Sequence, residues 1–330
     1  MPPADIAVVC VTHRSGDLLP EYATALGPAL RASGARVVVI DVASPDDTLQ
    51  RAHDLLPEAD VLVLSENRGF AAGVNAGIAH VRDTGGALAF AIVNPDVRLE
   101  RDTLPRLFTA FVETGAFVCV PRLTDGQGRL QLSLRRAPSL AATFAESFLG
   151  GPLAARLRLP TEVIRDEDVY SDDHDDAVWA TGGMLMISDE CLRTVGALDE
   201  SFFMYEEEVE FCTRVASYGG LLHYCAGARA VRLVDGPREA PWREALMKTN
   251  RVRLLGRRGR AVRASARLGL FVWGLLRAAA GRPEGRAVVW ALARMARPEE
   301  IMDRYAPAIE PVVARPGDPA SRAVLVWSGA

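Results

Sequence analysis

The chain has 330 residues, of which 49% are hydrophobic, and a formal net charge of −4. This length suits one large domain or two smaller ones, and the apolar content is sufficient for a sizeable core. The mild acidic charge argues against nucleic-acid binding, which favours a strongly basic surface. The five cysteines are odd in number and include no Cys-x-x-Cys pair, which is typical of reduced thiols in a cytoplasmic protein.

Two apolar segments bear on targeting and membrane insertion. Residues 6–11 are too few for a secretory signal and have no basic leader. Residues 268–276 are bounded by Arg267 and Arg277, well short of the roughly 20 apolar residues that cross a bilayer. We therefore expect neither a secretory signal nor a transmembrane helix.

Four short apolar runs in the first part of the chain are typical of buried parallel strands. They lie at residues 6–11, 36–40, 61–64 and 87–93, and segments of helical length separate them at 18–33, 46–56 and 71–82. This alternation predicts an α/β fold with a doubly wound, mostly parallel, Rossmann-like sheet. Because ligands of such sheets bind at the carboxyl ends of the strands, the polar residues that follow each run are the candidate site.

The alternation weakens after residue 120, and an arginine-rich amphipathic region follows residue 240. Between residues 120 and 240, the pattern at 139–160 is typical of a helix with an exposed connection, and residues 166–176 form an acidic loop. Residues 177–188 are typical of a strand and 206–218 of a helix. We expect residues 1–240 to form one domain, with a nucleotide-binding half at 1–120 and an acceptor and catalytic half at 121–240. Residues 241–330 are expected to form a helical C-terminal region.

Polar and glycine-rich motifs follow these segments in a fixed order. They are Thr12-His13-Arg14, Asp41-Val42-Ala43-Ser44, Glu66 to Asn75 (ENRGFAAGVN), Asn94-Pro95-Asp96, Thr181-Gly182-Gly183 and Phe202 to Glu210 (FFMYEEEVE). This ordered set resembles the family 2 glycosyltransferases of GT-A fold, especially the bacterial rhamnosyltransferase-like branch, over about residues 5 to 260. The resemblance implies inverting transfer of a sugar, with rhamnose among the candidates, from a dTDP- or UDP-linked donor. The acceptor would be a hydroxyl of a glycan, a lipid-linked saccharide or a small molecule, in polysaccharide or glycoconjugate biosynthesis.

The earlier motifs supply groups for the nucleotide-sugar donor. A carboxylate at Asp41 can accept the imide N–H of uracil or thymine, although an aspartate here also suits a turn or helix cap. Gly69 and Gly73 allow close approach of a ligand to a helix N-terminus, and a tight helix–sheet contact is the structural alternative. Asn75, one turn further along, is expected to face the same cleft. With the resemblance, the candidate donor-binding residues are Thr12, Arg14, Asp41, Ser44, Asn67, Gly69, Phe70, Gly73, Asn75, Asn94, Asp96 and Arg232.

Asp96 is the candidate metal ligand. The resemblance implies that Asn94-Pro95-Asp96 is the counterpart of an Asp-x-Asp motif whose carboxylate binds Mg²⁺ or Mn²⁺ at the diphosphate; an ordinary Asn-Pro-Asp turn is the alternative. Such cations take oxygen ligands, several of them from water or phosphate, so one carboxylate can suffice. The family often has a histidine near the position of Arg232, which cannot bind a metal but can pair with diphosphate. The need for a metal is therefore left open.

Glu208 and Glu207 are the candidate catalytic residues. The family usually shows Glu-Asp-x-Asp-Leu at positions 207–211, and its first aspartate deprotonates the acceptor hydroxyl. Glu208 stands at that aspartate and can perform the same proton transfer with a side chain one methylene longer. Acidic residues that open a helix also favour its dipole, which is the structural alternative.

The candidate acceptor residues are Trp179, Thr181, Gly182 and Gly183, since the resemblance places the acceptor there. Trp179 suits either stacking on a sugar or a place in the core. Basic and apolar residues in 251–280 suit peripheral contact with the inner face of the cell membrane, or packing on the domain or on the second subunit of a homodimer.

Other functions remain as alternatives. Val42, Glu208 and Arg232 depart from the family pattern, so a catalytically impaired nucleotide-sugar-binding protein of the same fold is the main one. A Rossmann dehydrogenase is disfavoured because no Gly-x-Gly-x-x-Gly follows the first strand. A nucleotidyltransferase is disfavoured because its usual glycine-rich, lysine-containing first loop is absent from the sequence.

Overall fold

The computed structural model describes residues 5–181, 183–233, 240–306 and 325–326. Strands and helices alternate in the first part of the chain. These elements are β1 (Ile6–Thr12), α1 (Leu19–Ser33), β2 (Arg36–Val42), α2 (Thr48–Leu55), β3 (Asp60–Leu64), α3 (Phe70–Asp83) and β4 (Ala89–Val93). The four predicted strands and three predicted helices are confirmed, with ends that differ by no more than two residues.

The next elements extend along the chain as far as Arg232. They are β5 (Val97–Leu99), α4 (Thr103–Thr114), β6 (Val118–Thr124), β7 (Leu134–Arg135), α5 (Leu140–Leu149), α6 (Gly151–Arg156), β8 (Trp179–Ala180), β9 (Met184–Ser188), α7 (Asp189–Val195), α8 (Glu207–Ser217) and β10 (Leu222–Arg232). Single turns of 3₁₀ helix lie at Glu167–Tyr170 and Glu200–Phe202. The helix expected over 139–160 is two helices, because Gly150 separates them with a φ of 76°.

The described strands include β11 (Leu325–Val326) and form a nine-stranded sheet in the order β11-β3-β2-β1-β4-β9-β6-β10-β5, with β7 and β8 paired separately. From β11 to β4 all neighbours pair in parallel, and so do β6 and β10. β9 runs antiparallel to β4 and β6, and β5 runs antiparallel to β10. The predicted doubly wound, mostly parallel sheet is therefore confirmed.

Helices cover both faces of the sheet and create two cores. In β1, Val9 and Val11 belong to the core beneath α3, whereas Val8 and Cys10 belong to the core beneath α1 and α4. Successive side chains of a strand point to opposite faces, so a strand covered on both sides is apolar at every position. This explains the unbroken apolar run of β1. All five cysteines lie in these two cores, and none forms a disulfide.

The C-terminal part of the described chain is helical, as predicted. It contains α9 (Pro241–Gly256), α10 (Arg260–Ala279), α11 (Pro283–Arg294) and α12 (Pro298–Tyr305). Their own core includes Leu246, Leu270 and Leu292, and it also takes in Phe203 from the segment before α8. Within the described ranges, no helix is long and apolar enough to cross a membrane.

Candidate functional site

A cavity of about 430 Å³ opens at the carboxyl ends of β1, β2 and β4. The first turn of α3 and the start of α8 close its other sides. Its lining residues are Val11, His13, Ser15, Val42, Asn67, Gly69, Phe70, Asn94, Pro95, Thr181, Met204, Tyr205, Glu207, Glu208 and Arg232. The cavity thus lies where doubly wound sheets bind their ligands.

The Asp41 carboxylate organises the turn after β2. It is buried, and it accepts hydrogen bonds from the Thr12 hydroxyl at 3.2 Å, from the Ser44 backbone N–H at 2.9 Å and from the Ser44 hydroxyl. These bonds tie the ends of β1 and β2 together. Thr12, Asp41 and Ser44 stand behind the cavity wall, since none of them lines it. A contact between Asp41 and a nucleotide base stays a prediction.

His13 and Val42 make the wall at this point. The His13 Nδ1 atom is 2.8 Å from the Val42 carbonyl oxygen. A carbonyl only accepts, so Nδ1 carries the proton, and Nε2 of the neutral ring is an acceptor. Arg14 is exposed and has a φ of 51°, and its backbone N–H donates to Ser44 Oγ at 3.0 Å. Its side chain is not part of the cavity lining, and its contact with the nucleotide stays a prediction.

Gly69 is required by a close backbone contact. It precedes α3 with a φ of 91°, and a Cβ at this position would lie 2.1 Å from the Phe203 carbonyl oxygen. The Phe70 N–H donates to the same carbonyl at 2.7 Å, and the Asn67 side chain accepts from the Gly69 N–H at 3.0 Å. The turn after β3 therefore joins the donor side of the cavity to the segment before α8.

Two candidate donor residues of α3 face elsewhere. A Cβ at Gly73 would lie 2.7 Å from a methyl group of Val11, so this glycine permits close packing of α3 on β1, which is the structural alternative. Asn75 does not face the cleft, contrary to expectation. Its side chain donates to the Leu198 carbonyl at 2.9 Å and to Glu200 at 3.0 Å, and it accepts from the Leu198 N–H at 3.1 Å. These bonds fasten α3 to the loop after α7.

Sheet pairing brings Asp96 and Arg232 together. Val97 lies opposite Arg232 in the β5–β10 pair, and Arg232 Nε donates to Asp96 Oδ2 at 3.1 Å. The Asn94 N–H donates to the Gly183 carbonyl at 3.1 Å. A Cβ at Gly183 would lie 3.1 Å from the Arg232 side chain. These predicted residues therefore form one continuous wall.

One oxygen of Asp96 suits a cation. Oδ1 is buried and has no hydrogen-bond partner among the described residues, whereas Oδ2 accepts from Arg232. Burying a polar atom in this way is costly unless a donor or a positive charge reaches it. Across the described ranges, no group of three or more His, Cys, Asp or Glu side chains could hold a metal ion. The residues therefore fit a cation held by one carboxylate oxygen, with further ligands from phosphate or water.

The segment before α8 has a strained backbone. Phe203, Tyr205 and Glu206 have φ values of 63°, 67° and 72°, which residues other than glycine rarely adopt. Phe203, with a ψ of −65°, is the centre of a γ-turn in which the Met204 N–H donates to the Phe202 carbonyl at 2.7 Å. Such strain clusters at functional sites, where surrounding contacts maintain it. Here the strained segment leads directly into the first turn of α8, which lies at the cavity.

Three consecutive glutamates have different surroundings. Glu207 and Glu208 line the cavity, whereas Glu206 Oε2 pairs with Arg251 Nε at 2.9 Å. Burial, and then the neighbouring Glu208 carboxylate, raise the pKa of Glu207 well above its ordinary value. Burial also raises the pKa of Glu206, and Arg251 opposes this shift. Glu207 therefore holds a proton more strongly than an ordinary glutamate.

The candidate acceptor residues are divided. Thr181 lines the cavity, Gly183 belongs to the wall described above, and Gly182 lies outside the described residues. Trp179 is buried in the core, and its indole N–H donates to a backbone carbonyl at 3.0 Å. Because its ring is enclosed, the structure contradicts stacking of Trp179 on a sugar and supports the core alternative.

The basic residues of 251–280 are partly used inside the protein. Arg251 pairs with two buried glutamates, and Arg267 donates to a backbone carbonyl at 2.9 Å. The Trp273 indole donates to the Ser147 carbonyl at 2.7 Å, so α10 and α5 lie side by side. Apolar side chains of α5, α6, the residue after α6 and α10 are nevertheless exposed: Phe148, Leu149, Leu153, Leu157, Leu268, Val272, Leu275 and Leu276. These eight side chains are called the apolar surface below.

The chain is similar to known glycosyltransferases. Residues 7–167 match the model of Glycosyl transferase family 2. The chain is 28% identical over 212 residues to the low-salt glycan biosynthesis hexosyltransferase Agl10 of Haloferax volcanii, which covers 64% of this chain and 61% of that protein. It therefore spans less than two thirds of that relative's length. It is 27% identical over 236 residues to the N-acetylglucosaminyl-diphospho-decaprenol L-rhamnosyltransferase of Mycobacterium tuberculosis, covering 68% of this chain and 75% of that one.

Solved structures show the same fold. The mannosyltransferase PcManGT from Pyrobaculum calidifontis, in complex with GDP-Man and Mn²⁺, has a TM-score of 0.55 and 14% identity, and the likeness covers 91% of this chain and 79% of that one. At this identity the likeness concerns the fold alone, and it agrees with the predicted GT-A architecture. The chain thus has the GT-A fold, its residues 7–167 are similar to the family 2 glycosyltransferases, and its relatives include a rhamnosyltransferase and a hexosyltransferase.

Proposed function

We propose that the protein is an inverting glycosyltransferase that takes its sugar from a nucleotide-diphosphate donor. The observation that carries this proposal is a single cavity lined by Glu207 and Glu208 on one wall and by Asn94 and Arg232 on another. The transfer needs charge stabilisation at the departing diphosphate and a base at the acceptor hydroxyl. The two walls supply one requirement each.

The donor lies across the carboxyl ends of β1, β2 and β4 in this proposal. The Arg232 guanidinium pairs with the diphosphate, because its planar fork of N–H groups matches phosphate oxygens. Thr12, Asp41 and Ser44 hold the turn that shapes the nucleotide end of the cavity, through the hydrogen bonds described above. A uracil- or thymine-linked sugar agrees with the resemblance to the rhamnosyltransferase-like branch.

A divalent cation, Mg²⁺ or Mn²⁺, fits the same wall. Asp96 Oδ1 would hold it, and its positive charge would offset the charge that develops on the leaving diphosphate. Arg232 is bonded to the other oxygen of Asp96 and keeps a second positive charge at the same place. The Mn²⁺ in the complex of the mannosyltransferase neighbour supports this choice of ion.

Glu208 is the proposed base. It removes the proton of the acceptor hydroxyl while that oxygen forms a bond to the anomeric carbon. The bond from the anomeric carbon to the diphosphate breaks at the same time, and its electron pair leaves with the nucleoside diphosphate. A single displacement of this kind inverts the configuration. Burial beside Glu208 raises the pKa of Glu207 above its ordinary value, which disfavours Glu207 as the base, and Glu208 stands at the position of the family's base.

The acceptor is proposed to be lipid-linked, in preference to a free glycan or a small molecule. The Mycobacterium tuberculosis relative carries decaprenol in its name. The apolar surface on α5, α6 and α10 would let the protein lie on the inner face of the cell membrane, with Thr181, Gly182 and Gly183 near the acceptor. In this proposal residues 1–240 carry the chemistry and residues 241–330 support it.

A panel of nucleotide sugars tests the function. The purified protein is incubated with dTDP-, UDP- and GDP-linked sugars, with and without Mn²⁺, and donor hydrolysis and thermal stabilisation are followed. We expect slow hydrolysis of at least one dTDP- or UDP-sugar, and stabilisation by the corresponding diphosphate, because a ligand of the native state raises its stability. Stabilisation without hydrolysis or transfer would favour the catalytically impaired alternative. The absence of both stabilisation and hydrolysis would contradict donor binding.

A further inference from the structure

A buried asparagine of α9 contacts the strained segment before α8. Asn250 is fully buried, and its Nδ2 atom lies 2.8 Å from the Phe202 carbonyl oxygen, 3.0 Å from that of Met204 and 3.0 Å from that of Tyr205. Its amide must present the nitrogen here, because the amide oxygen would face three other acceptors. On the opposite side, Asn250 Oδ1 accepts from Arg253 at 3.3 Å.

The carbonyls from 202 to 205 are all bound by other parts of the chain. The Phe203 carbonyl accepts from the Phe70 N–H at 2.7 Å, and Asn250 serves the other three. The next residue, Glu206, pairs with Arg251, which follows Asn250 on α9. A backbone with positive φ at three positions persists only when its surroundings maintain it. The amide of one residue thus contacts three of these four carbonyls.

We propose that Asn250 is a positioning residue for the carboxylates of Glu207 and Glu208. The inference rests on the proposed function, because it concerns the turnover of that same cavity. Asn250 does not line the cavity. It fixes the γ-turn and the two residues after it, from which α8 begins and projects both carboxylates. The C-terminal helices are thereby part of the active-site architecture, although they lie outside the family match at residues 7–167.

Two substitutions test this role. Asn250→Asp keeps the shape but replaces the N–H donors by an acceptor, and Asn250→Ala removes the donors without adding charge. We expect kcat to fall about 10- to 100-fold, since small displacements of catalytic groups have effects of this size, while KM for the donor changes less than about twofold. Thr249→Val is the matched control: Thr249 is equally buried on the same helix, and its hydroxyl has no hydrogen-bond partner among the described residues.

A second readout separates the positioning role from the function itself. Hydrogen–deuterium exchange of the amides in 202–210 should become faster in Asn250→Ala and stay unchanged in Thr249→Val, whether or not a donor is turned over. If the wild type turns over the donor and both Asn250 variants have the same kcat as the wild type, the positioning role is wrong and the proposed function is unaffected. If the wild type shows neither transfer nor hydrolysis but exchange is faster in Asn250→Ala, the proposed function and the effect on kcat are wrong. The restraint of the turn by Asn250 is then still supported. Equal exchange in all variants overturns the restraint.

Discussion

The two walls of the cavity, called the donor wall and the catalytic wall after the function proposed for each, are built in different ways. Asn94 and Arg232 line the donor wall, and behind it Thr12, Asp41 and Ser44 satisfy one another's hydrogen bonds where β1 and β2 end. On the catalytic wall, three of the four residues from 203 to 206 have positive φ, and Glu207 is buried beside a second carboxylate. Positive φ also occurs beside the donor wall, at Arg14 (51°) and Ala43 (49°), so the walls differ in what holds them. Hydrogen bonds between neighbouring strand ends hold the first, whereas contacts with α3 and α9 hold the second.

Under the proposed function, this difference would separate binding from chemistry. Side chains that satisfy one another's hydrogen bonds at strand ends suit a preformed binding site, and carboxylates with a perturbed pKa are typical of catalytic positions. Changes in the donor wall should therefore alter donor affinity, and changes in the catalytic wall should alter turnover. The predictions below test that separation.

The largest expected effect is on turnover in Glu208→Gln. Loss of a general base lowers kcat about 10²- to 10⁴-fold, whereas the dissociation constant of the donor should stay within about twofold. Steady-state kinetics and calorimetric titration measure the two quantities. Glu190→Gln, at an exposed position of α7, is the control and should behave as the wild type. Full turnover in Glu208→Gln would remove Glu208 from the mechanism.

Gly69→Ala should break the contact between the walls. The added Cβ would lie 2.1 Å from the Phe203 carbonyl oxygen at a φ of 91°, so we expect a loss of about 3 kcal/mol in the free energy of unfolding. Gly34→Ala is the matched control, because Gly34 also has a positive φ, of 66°, but a Cβ there meets nothing within 4 Å. It should lose about 1 kcal/mol. Denaturant unfolding measures both, and equal losses would show that the contact is unimportant.

Ser44→Ala should affect the donor wall alone. It removes the hydroxyl that donates to Asp41 and accepts from the Arg14 N–H, at a cost of about 1–2 kcal/mol in the free energy of unfolding. Donor affinity should fall while kcat at saturating donor stays the same. Ser217→Ala, which loses a local hydrogen bond at the end of α8, should cost less than about 0.5 kcal/mol. A fall in kcat with unchanged affinity would contradict the separation of the walls.

Glu207 makes stability depend on pH. Its raised pKa means that the folded protein binds this proton at pH values where an unfolded glutamate, with an ordinary pKa of 4.5, has lost it. The free energy of unfolding therefore decreases as the pH rises above about 4.5, by at most about 1.4 kcal/mol per pH unit for one proton. Glu207→Gln should flatten this decrease in denaturant unfolding followed over pH. An identical slope in the variant would show that Glu207 is ionised in the folded state.

The apolar surface gives the smallest effect. The wild type should float with vesicles that contain anionic lipid, and Leu153→Glu combined with Leu276→Glu should reduce this binding because both side chains are exposed. Hydrolysis of a soluble donor should be unaffected. Absence of flotation by the wild type would favour the alternative that this surface faces a second subunit.

Much of the fold and of the donor wall could be predicted from the sequence, because both depend on local patterns. The apolar run of β1 and the turn at Gly69 can both be predicted from consecutive residues of the sequence. Asn75 was misplaced, and Trp179 was left open between a sugar and the core, because their partners, the carbonyls of Leu198 and Arg136, are distant in sequence. Asn250 has the same character, since its importance depends on carbonyls more than 40 residues away.

The γ-turn at Phe203 could not be predicted from the sequence either. No glycine marks it, so the positive φ values at Phe203, Tyr205 and Glu206 are imposed by tertiary contacts. Met204 and Tyr205 reach the cavity as a consequence of this turn. A buried asparagine in an amphipathic helix is the kind of signal that points to such a restraint, because an unpaired amide there would be costly.

The most direct test is calorimetric titration of the donor's nucleoside diphosphate, with Mn²⁺ present, into the wild type, Arg232→Gln and Glu208→Gln. If the two walls divide binding from chemistry, Arg232→Gln raises the dissociation constant at least about tenfold, and Glu208→Gln leaves it within about twofold of the wild type. Unchanged binding in Arg232→Gln, or an equal loss in both variants, would contradict that division.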